Sequence, residues 1–361
     1  MNSKKKLVVI LPRILEEFSG GAELQTSYLI KSAVSKGIDV HYIFLSTCPN
    51  TKSEKNDAKL APLPGRDLFL KLGNITYPYF IRVQEALANI KPDIIYNRTG
   101  TALTGAAAYY AKNNNCRLIF HIASDIDVTL RMLPWNKPWL IPEDMITQYG
   151  IRNADIIIAQ TNFQVSELMR NYNRKGIIIP NGHPIPPDFV KSEELITVLW
   201  IANWKHVKKP ELFVRLVEEI GQQSNVRFLM IGRTGGYDDL VKKAKNNNIE
   251  VMGEIPNERV NEILNQSHIL VNTSQTEGFS NTFIQAWLRR VPVVSLKVDP
   301  DKIIQNKQLG LCSGDFSNFI QNTRKLIEDH NLRNTMGSKA RKYATMQHSL
   351  GNIDKLLKVM L

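Results

Sequence analysis

Strand and helix patterns that alternate along the chain, and do so in two series parted by a proline-rich loop, predict an α/β protein with two doubly wound parallel-sheet domains. The strands themselves support this, because they are almost uniformly apolar, as strands covered by helices on both faces must be. In the first series the strand candidates are Leu7 to Leu11, Val40 to Leu45, Asp93 to Tyr96, Arg117 to His121, Asp155 to Ala159 and Gly176 to Ile179. Helical patterns lie between them. The clearest runs from Gly21 to Ser35, where Leu24, Tyr28, Ile30 and Val34 share an apolar side and Gly37 supplies the stop.

The loop His183 to Glu194 carries Pro184, Pro186 and Pro187 and reads as a linker. Alternation then restarts with strands at Thr197 to Ile201, Val226 to Ile231, Glu250 to Met252, His268 to Val271 and Pro292 to Leu296. Pro210 opens a helix to Ile220 whose Leu212, Phe213, Leu216, Val217 and Ile220 recur at helical spacing. The tail from Phe316 to Leu361 reads as two or three amphipathic helices. Two Rossmann-like halves facing a cleft are expected, with C-terminal helices, and ligands of such sheets collect beyond the carboxyl ends of the strands.

Composition narrows the function classes. The 361 residues, 43% hydrophobic and 22% charged, fit a folded globular chain of two or three domains. Lys and Arg number 46 against 34 Asp and Glu, a balance of +12 that favours anionic partners. Cys48, Cys116 and Cys312 are too scattered for a zinc site and odd in number for a disulfide framework, which fits a reducing compartment. The apolar run behind the basic start ends at Pro12 and Arg13, short of a signal peptide's core, and no stretch reaches the ~18 apolar residues of a membrane span. A cytoplasmic chain is expected. Leu68 to Leu87 mixes Phe69, Leu72, Tyr77, Phe80 and Ile81 with Lys71 and Arg82; with Lys4, Lys5 and Lys6 it could rest on an anionic membrane at the inner face, or be core and loop. Nucleic-acid binding is not expected, for want of interleaved aromatics or a basic helix.

The most informative segment is Ser274 to Trp287, which follows a strand and opens a helix. Its Glu277-Gly278-Phe279-Ser280-Asn281-Thr282 turn of mostly small residues leaves backbone N–H groups aimed outward at the positive end of the helix dipole, which suits a diphosphate. Ser280 and Thr282 add hydroxyls, and Glu277 can accept hydrogen bonds from a polyhydroxylated ligand. An ordinary capped turn would show the same composition. Asp125-Ile126-Asp127 can hold a divalent metal in principle, but two carboxylates are a weak signal.

The order His268 to Val271, Ser274, Glu277-Gly278-Phe279, the helix to Arg290 and Val291 to Ser295 resembles the signature region of the glycosyltransferase group 1 family, retaining enzymes of GT-B fold. Gly20-Gly21-Ala22-Glu23, Ile179-Pro180-Asn181-Gly182, Lys208-Lys209 before Pro210, and Val251-Met252-Gly253 agree with it. The resemblance implies an acceptor-side domain over residues 1–183, a nucleotide-sugar domain over 184–345, and a C-terminal helix over 346–361 that packs back on the first domain.

By this resemblance Glu277 matches the acid that contacts the donor sugar, and Gln285 stands where a second acid grips the ribose, an amide in place of a carboxylate. Gly278, Phe279, Ser280, Asn281 and Thr282 match the diphosphate-receiving turn, and Lys208 the residue that neutralises the leaving group. The usual Arg five residues earlier is Asn203 here, with Lys205 or Lys209 as candidate substitutes. His121 matches a histidine near sugar and acceptor, Gly20 and Gly21 the donor-binding glycine loop after the first strand, where acceptor or diphosphate approaches the backbone, and Gly232 and Ile255 strand ends near the base. No metal cofactor is implied, since helix dipole and basic side chains do that work in this fold. The implied function is transfer of a hexosyl unit from a nucleotide-diphosphate sugar to a glycan or lipid-linked acceptor. Gln285 and Asn203 leave open a catalytically weak GT-B-shaped binding subunit.

Overall fold

The computed structural model describes residues 4–14, 20–46, 54–55, 58–64, 75–130, 137–188 and 191–361. Two compact units emerge, one of residues 1–181 and 351–361, the other of residues 182–350.

The first unit is built on an eight-stranded sheet. Its strands are β1 (Lys6–Ile10), β2 (Asp39–Ser46), β3 (Glu54–Lys55), β4 (Ala58–Pro64), β5 (Ile94–Arg98), β6 (Arg117–His121), β7 (Ile156–Ala159) and β8 (Ile177–Ile178), in the order β3-β4-β2-β1-β5-β6-β7-β8. Every pairing is parallel except β3 with β4. Helices α1 (Gly21–Ser35), α2 (Phe80–Ile90), α3 (Ala102–Asn113), α4 (Ile141–Asn153) and α5 (Asn162–Tyr172) connect and cover the strands. Successive β1 residues point to opposite faces, and both faces are dry: Val8 and Ile10 join one core, Leu7 and Val9 the other. That is why this strand shows no polar alternation.

One strand escapes the sequence patterns. β4 reads Ala-Lys-Leu-Ala-Pro-Leu-Pro, and its prolines argue against a strand. It is tolerated because only the two residues of β3 lie outside it, so most of its outer edge carries no ladder. Helices α3 and α4 cross closely at two glycines: a Cβ on Gly105 would sit 2.2 Å from the Ile146 carbonyl oxygen, and one on Gly150 2.5 Å from the Gly105 nitrogen.

The second unit holds β9 (Ile196–Ile201), β10 (Val226–Ile231), β11 (Ile249–Val251), β12 (Ile269–Asn272), β13 (Val293–Ser295) and β14 (Gly310–Cys312), all parallel, in the order β11-β10-β9-β12-β13-β14. Its helices are α6 (Pro210–Ile220), α7 (Asp238–Asn246), α8 (Asn257–Gln266), α9 (Asn281–Trp287), α10 (Ile303–Asn306), α11 (Phe316–Glu328) and α12 (His330–Gln347). Trp200, Phe213 and Phe228 fill the core on one face, and Leu199, Phe283 and Trp287 that on the other. The last helix, α13 (Gly351–Met360), belongs to the first unit, where Ile353, Leu356, Leu357 and Met360 join the core beside β1 and α1 packs against it.

Strand order reverses between β1 and β5 in the first unit and between β9 and β12 in the second. At such switch points the loops leave in opposite directions and open a crevice at the carboxyl ends of the strands. Among the described residues no helix is long and apolar enough to cross a membrane. Of the stretch Leu68 to Leu87, residues 68–74 lie outside the described residues. Ile75, Tyr79, Val83 and Leu87 are core, while Ile81 is exposed. Lys5 and Lys6 donate their ammonium groups to the carbonyls of Leu361 and Ile90.

Candidate active site

At the β9/β12 switch point two loops are tied together. Thr273 Oγ1 donates to the Lys208 carbonyl at 2.6 Å and accepts from buried Trp200 Nε1 at 2.8 Å, and the Gln275 N–H donates to the Val207 carbonyl at 2.9 Å. This stitching brings the Lys208 ammonium onto Glu277 Oε1, and Ser274 Oγ donates to the same oxygen at 2.8 Å. Both charges are half-buried. A charged pair with a hydroxyl on one oxygen leaves the other carboxylate oxygen as an acceptor for a ligand hydroxyl.

Beyond Glu277 the chain makes a turn that no side chain caps. Ser280 is the N-cap of α9, but its Oγ pairs with Thr282 Oγ1 at 2.9 Å instead of a backbone N–H. Among the described residues, the N–H groups of Gly278, Phe279 and Thr282 donate to no protein acceptor. Three such donors in one turn form an anion receptor. The turn is fixed from below. Phe279, 5% exposed, lies against the His348 ring at 4.7 Å and Trp287 at 6.1 Å, so its side chain anchors the turn. Asn281 Oδ1 accepts from His183 Nε2 at 2.8 Å. Burial drives the His183 pKa down to about 3, so the ring is neutral and donates a single N–H there.

The other residues singled out in this unit occupy different places. Asn203, after β9, accepts the Arg233 N–H at 3.0 Å. Gly232 has φ +140, and a Cβ there would lie 1.8 Å from the Ala202 carbonyl oxygen, so only glycine lets the β9 and β10 ends approach this closely. Ile255 follows Glu254, which pairs with Arg233. Lys209 takes a left-handed backbone and turns its ammonium toward His206 and Glu211. Gln285 is 4% exposed, and its amide nitrogen donates to Asn257 at 2.8 Å and Asn261 at 3.2 Å on α8.

His121, Gly20 and Gly21 belong to the first unit. Gly20 caps α1 and accepts the Leu24 N–H. His121 ends β6 at 2% exposure, and its Nδ1 meets the Tyr96 hydroxyl at 2.8 Å and Arg98 at 3.4 Å. Burial and the Arg98 charge hold its pKa well below the usual histidine range. Arg98 can only donate, so Nδ1 is an acceptor in this cluster and the neutral ring carries its proton on Nε2. Nε2 is buried without a partner. Arg98 also donates to Asn181 at 2.6 Å. Asp127 accepts from the backbone of Gly100, Ala123 and Ser124, and Asp125 from Gln164, which assigns this acidic pair to loop architecture.

Sequence reading passed over Thr273, Tyr96 and Arg98, and placed Ser274 in the signature segment without a role of its own. A Tyr-Asn-Arg ending on the otherwise aliphatic β5 was the available signal for two of them.

The family model for glycosyl transferases group 1 matches residues 196–329, and that for glycosyltransferase family 4 matches residues 19–185. The chain is 27% identical over 170 residues to glycosyltransferase 1 domain-containing protein 1 of Xenopus tropicalis, a match covering 44% of this chain and 48% of that one. It is 24% identical over 195 residues to a phosphatidylinositol N-acetylglucosaminyltransferase subunit of Arabidopsis thaliana, covering 50% and 44%. The matched stretch thus spans about half the length of either relative. Among solved structures, sucrose-phosphate synthase of Thermosynechococcus elongatus superposes with a TM-score of 0.78 at 15% identity, covering 98% of both chains. Anabaena Alr3699/HepE in complex with UDP and glucose gives 0.75 at 15% over 98% of both. The glycosyltransferase WaaG gives 0.77 at 14%, over 98% of this chain and 99% of that one. These likenesses establish the fold: two Rossmann-like domains of GT-B type.

Proposed function

The chain belongs to the group 1 glycosyltransferases, and from that premise we propose that it moves a hexosyl unit, with retention, from a nucleotide-diphosphate sugar to a hydroxyl of a glycan or lipid-linked acceptor. The observation that carries this reading is the Lys208–Glu277 pair set beside three unclaimed N–H groups at the β9/β12 switch point. HepE, a structural neighbour, takes UDP and glucose, which favours a UDP-sugar as donor.

Diphosphate settles on the N–H groups of Gly278, Phe279 and Thr282, where Lys208 and the α9 dipole oppose the charge that grows as the glycosidic bond breaks. Glu277 accepts from sugar hydroxyls through its remaining oxygen and fixes the ring for attack. His121, in the first unit, is neutral with its proton on Nε2 facing no protein acceptor, which suits a hydrogen-bond donor rather than a base. The acceptor attacks on the leaving-group face and its proton passes to the departing phosphate. In this reading Glu277 positions the sugar and is not a nucleophile, and Lys208 with the α9 dipole meets the leaving-group charge. The positive balance and exposed Ile81 support peripheral contact with an anionic membrane on the cytoplasmic side.

The test is release of free nucleoside diphosphate from a panel of sugar nucleotides supplied with cell-derived acceptors. Turnover with one donor, lowered at least ~100-fold in Lys208→Ala and Glu277→Ala, is the expected result. No release with any donor would point instead to a GT-B-shaped binding protein without turnover.

A further inference from the structure

Position 203 carries a short neutral amide, yet the strand beside it ends in a cation built into place. Arg233 follows β10 and is gripped at both backbone groups by the loop after β9: its N–H donates to Asn203 Oδ1 at 3.0 Å, and its carbonyl accepts from Trp204 N–H at 2.8 Å. Gly232, just before it, donates to the Gly253 carbonyl at 2.8 Å and tolerates no side chain against Ala202. The loops after β9, β10 and β11 are thereby cross-linked, and the Arg233 stem has a fixed origin beside the loop that carries Lys208.

The guanidinium itself is partly open to water. It forks onto Glu254 at 2.8 and 3.1 Å, with side-chain exposures of 46% and 31%. An ion pair this open to water contributes little and exchanges partners readily. A diphosphate offers a denser charge and pairs of oxygens that a guanidinium fork can bind bidentately.

We infer that Arg233 is the second cation of the diphosphate site, supplying from β10 the charge that Asn203 lacks on β9, with Glu254 holding the guanidinium until ligand arrives. Asn203 then acts as a positioning residue, through the Arg233 N–H. The inference rests on the donor site proposed above and assigns the role to a residue of this chain other than Lys205 or Lys209.

The full-length chain is titrated with UDP, or with whichever of UDP, ADP, GDP and dTDP most raises the wild-type melting temperature, and with the matching nucleoside. Arg233→Gln should weaken the nucleoside diphosphate about 10-fold or more and leave the nucleoside unchanged, because only phosphate contacts are removed. Glu254→Gln should tighten the diphosphate, and Asn203→Arg added to Arg233→Gln should recover most of the loss. Equal affinity in wild type and Arg233→Gln overturns the inference, as does an equal loss for diphosphate and nucleoside or a double variant no better than the single one. A wild-type chain that binds none of the four diphosphates would instead bring down the donor-site reading itself, and this inference with it.

Discussion

Ser274 and Gln285 show how differently two polar residues of one motif region are employed. Ser274 donates to the carboxylate oxygen that Lys208 also holds, so Ser274→Ala should leave Glu277 oriented by Lys208 with one hydrogen bond fewer. Turnover should fall about 10-fold through kcat, with a stability change near the ~1 kcal/mol of a single hydrogen bond. Steady-state kinetics and denaturant titration separate these two. Gln285 faces α8, and Gln285→Leu strips partners from Asn257 and Asn261 at a cost of about 1–3 kcal/mol, read as a lowered urea midpoint. That the motif's second acid is missing was legible in the sequence; where the amide points instead was not, because it depends on asparagines 24 and 28 residues upstream that only the fold brings near. Histidines set the acid response. The His183 pKa falls to about 3 and that of His268 to about 4, in both cases mainly through burial, against an ordinary 6.5. A base with a depressed folded pKa binds its proton more readily when unfolded, so these two hold full stability above pH ~6.5 and lose it as pH drops toward 4. Unfolding of the second unit between pH 4.5 and 6 should take up about two protons, and His183→Gln should reduce that by about one, measured from stability against pH.

Elements were more legible than side chains. Runs such as Leu7 to Leu11 and Thr197 to Ile201 emerged as β1 and β9 within a residue because a strand buried on both faces needs an unbroken apolar run, and little else in a soluble chain does. β4 was illegible since prolines exclude an interior strand, and only its near-edge position makes them acceptable. The α3/α4 crossing was likewise hidden in a Gly-Ala-rich stretch that reads as merely uncharged. Gly105→Val would drive methyl groups into the Ile146 carbonyl, so the helices must separate. A loss of several kcal/mol is expected, of the order seen for severe overpacking, and thermal unfolding should start markedly earlier in the first unit. The last helix offers the opposite change. Leu356 is 2% exposed in the core beside β1, and Leu356→Ala should cost about 2–5 kcal/mol in the first unit alone.

The chain passes between its units twice, after Asn181 and again after Leu350, yet each unit keeps its own sheet and its own pair of cores. Separate cores make separate cooperative blocks, since the apolar burial that offsets chain entropy is complete within each. Of the residues assigned to the nucleotide sugar, Gly20 and Gly21 lie in the first block, while Asn203, Lys208, Gly232, Arg233, Ile255 and the turn from Glu277 to Thr282 lie in the second. Ligand that binds the native state stabilises only the block whose unfolding destroys the site, by about 2.7 kcal/mol at a concentration 100 times Kd. Hydrogen exchange with saturating nucleoside diphosphate should therefore slow globally protected amides of β9, β10 and β12 by about 100-fold, while amides of β1, β5 and β6 keep their rates. Equal slowing in both sets would mean that the two blocks unfold as one and that diphosphate stabilises the chain as a single unit.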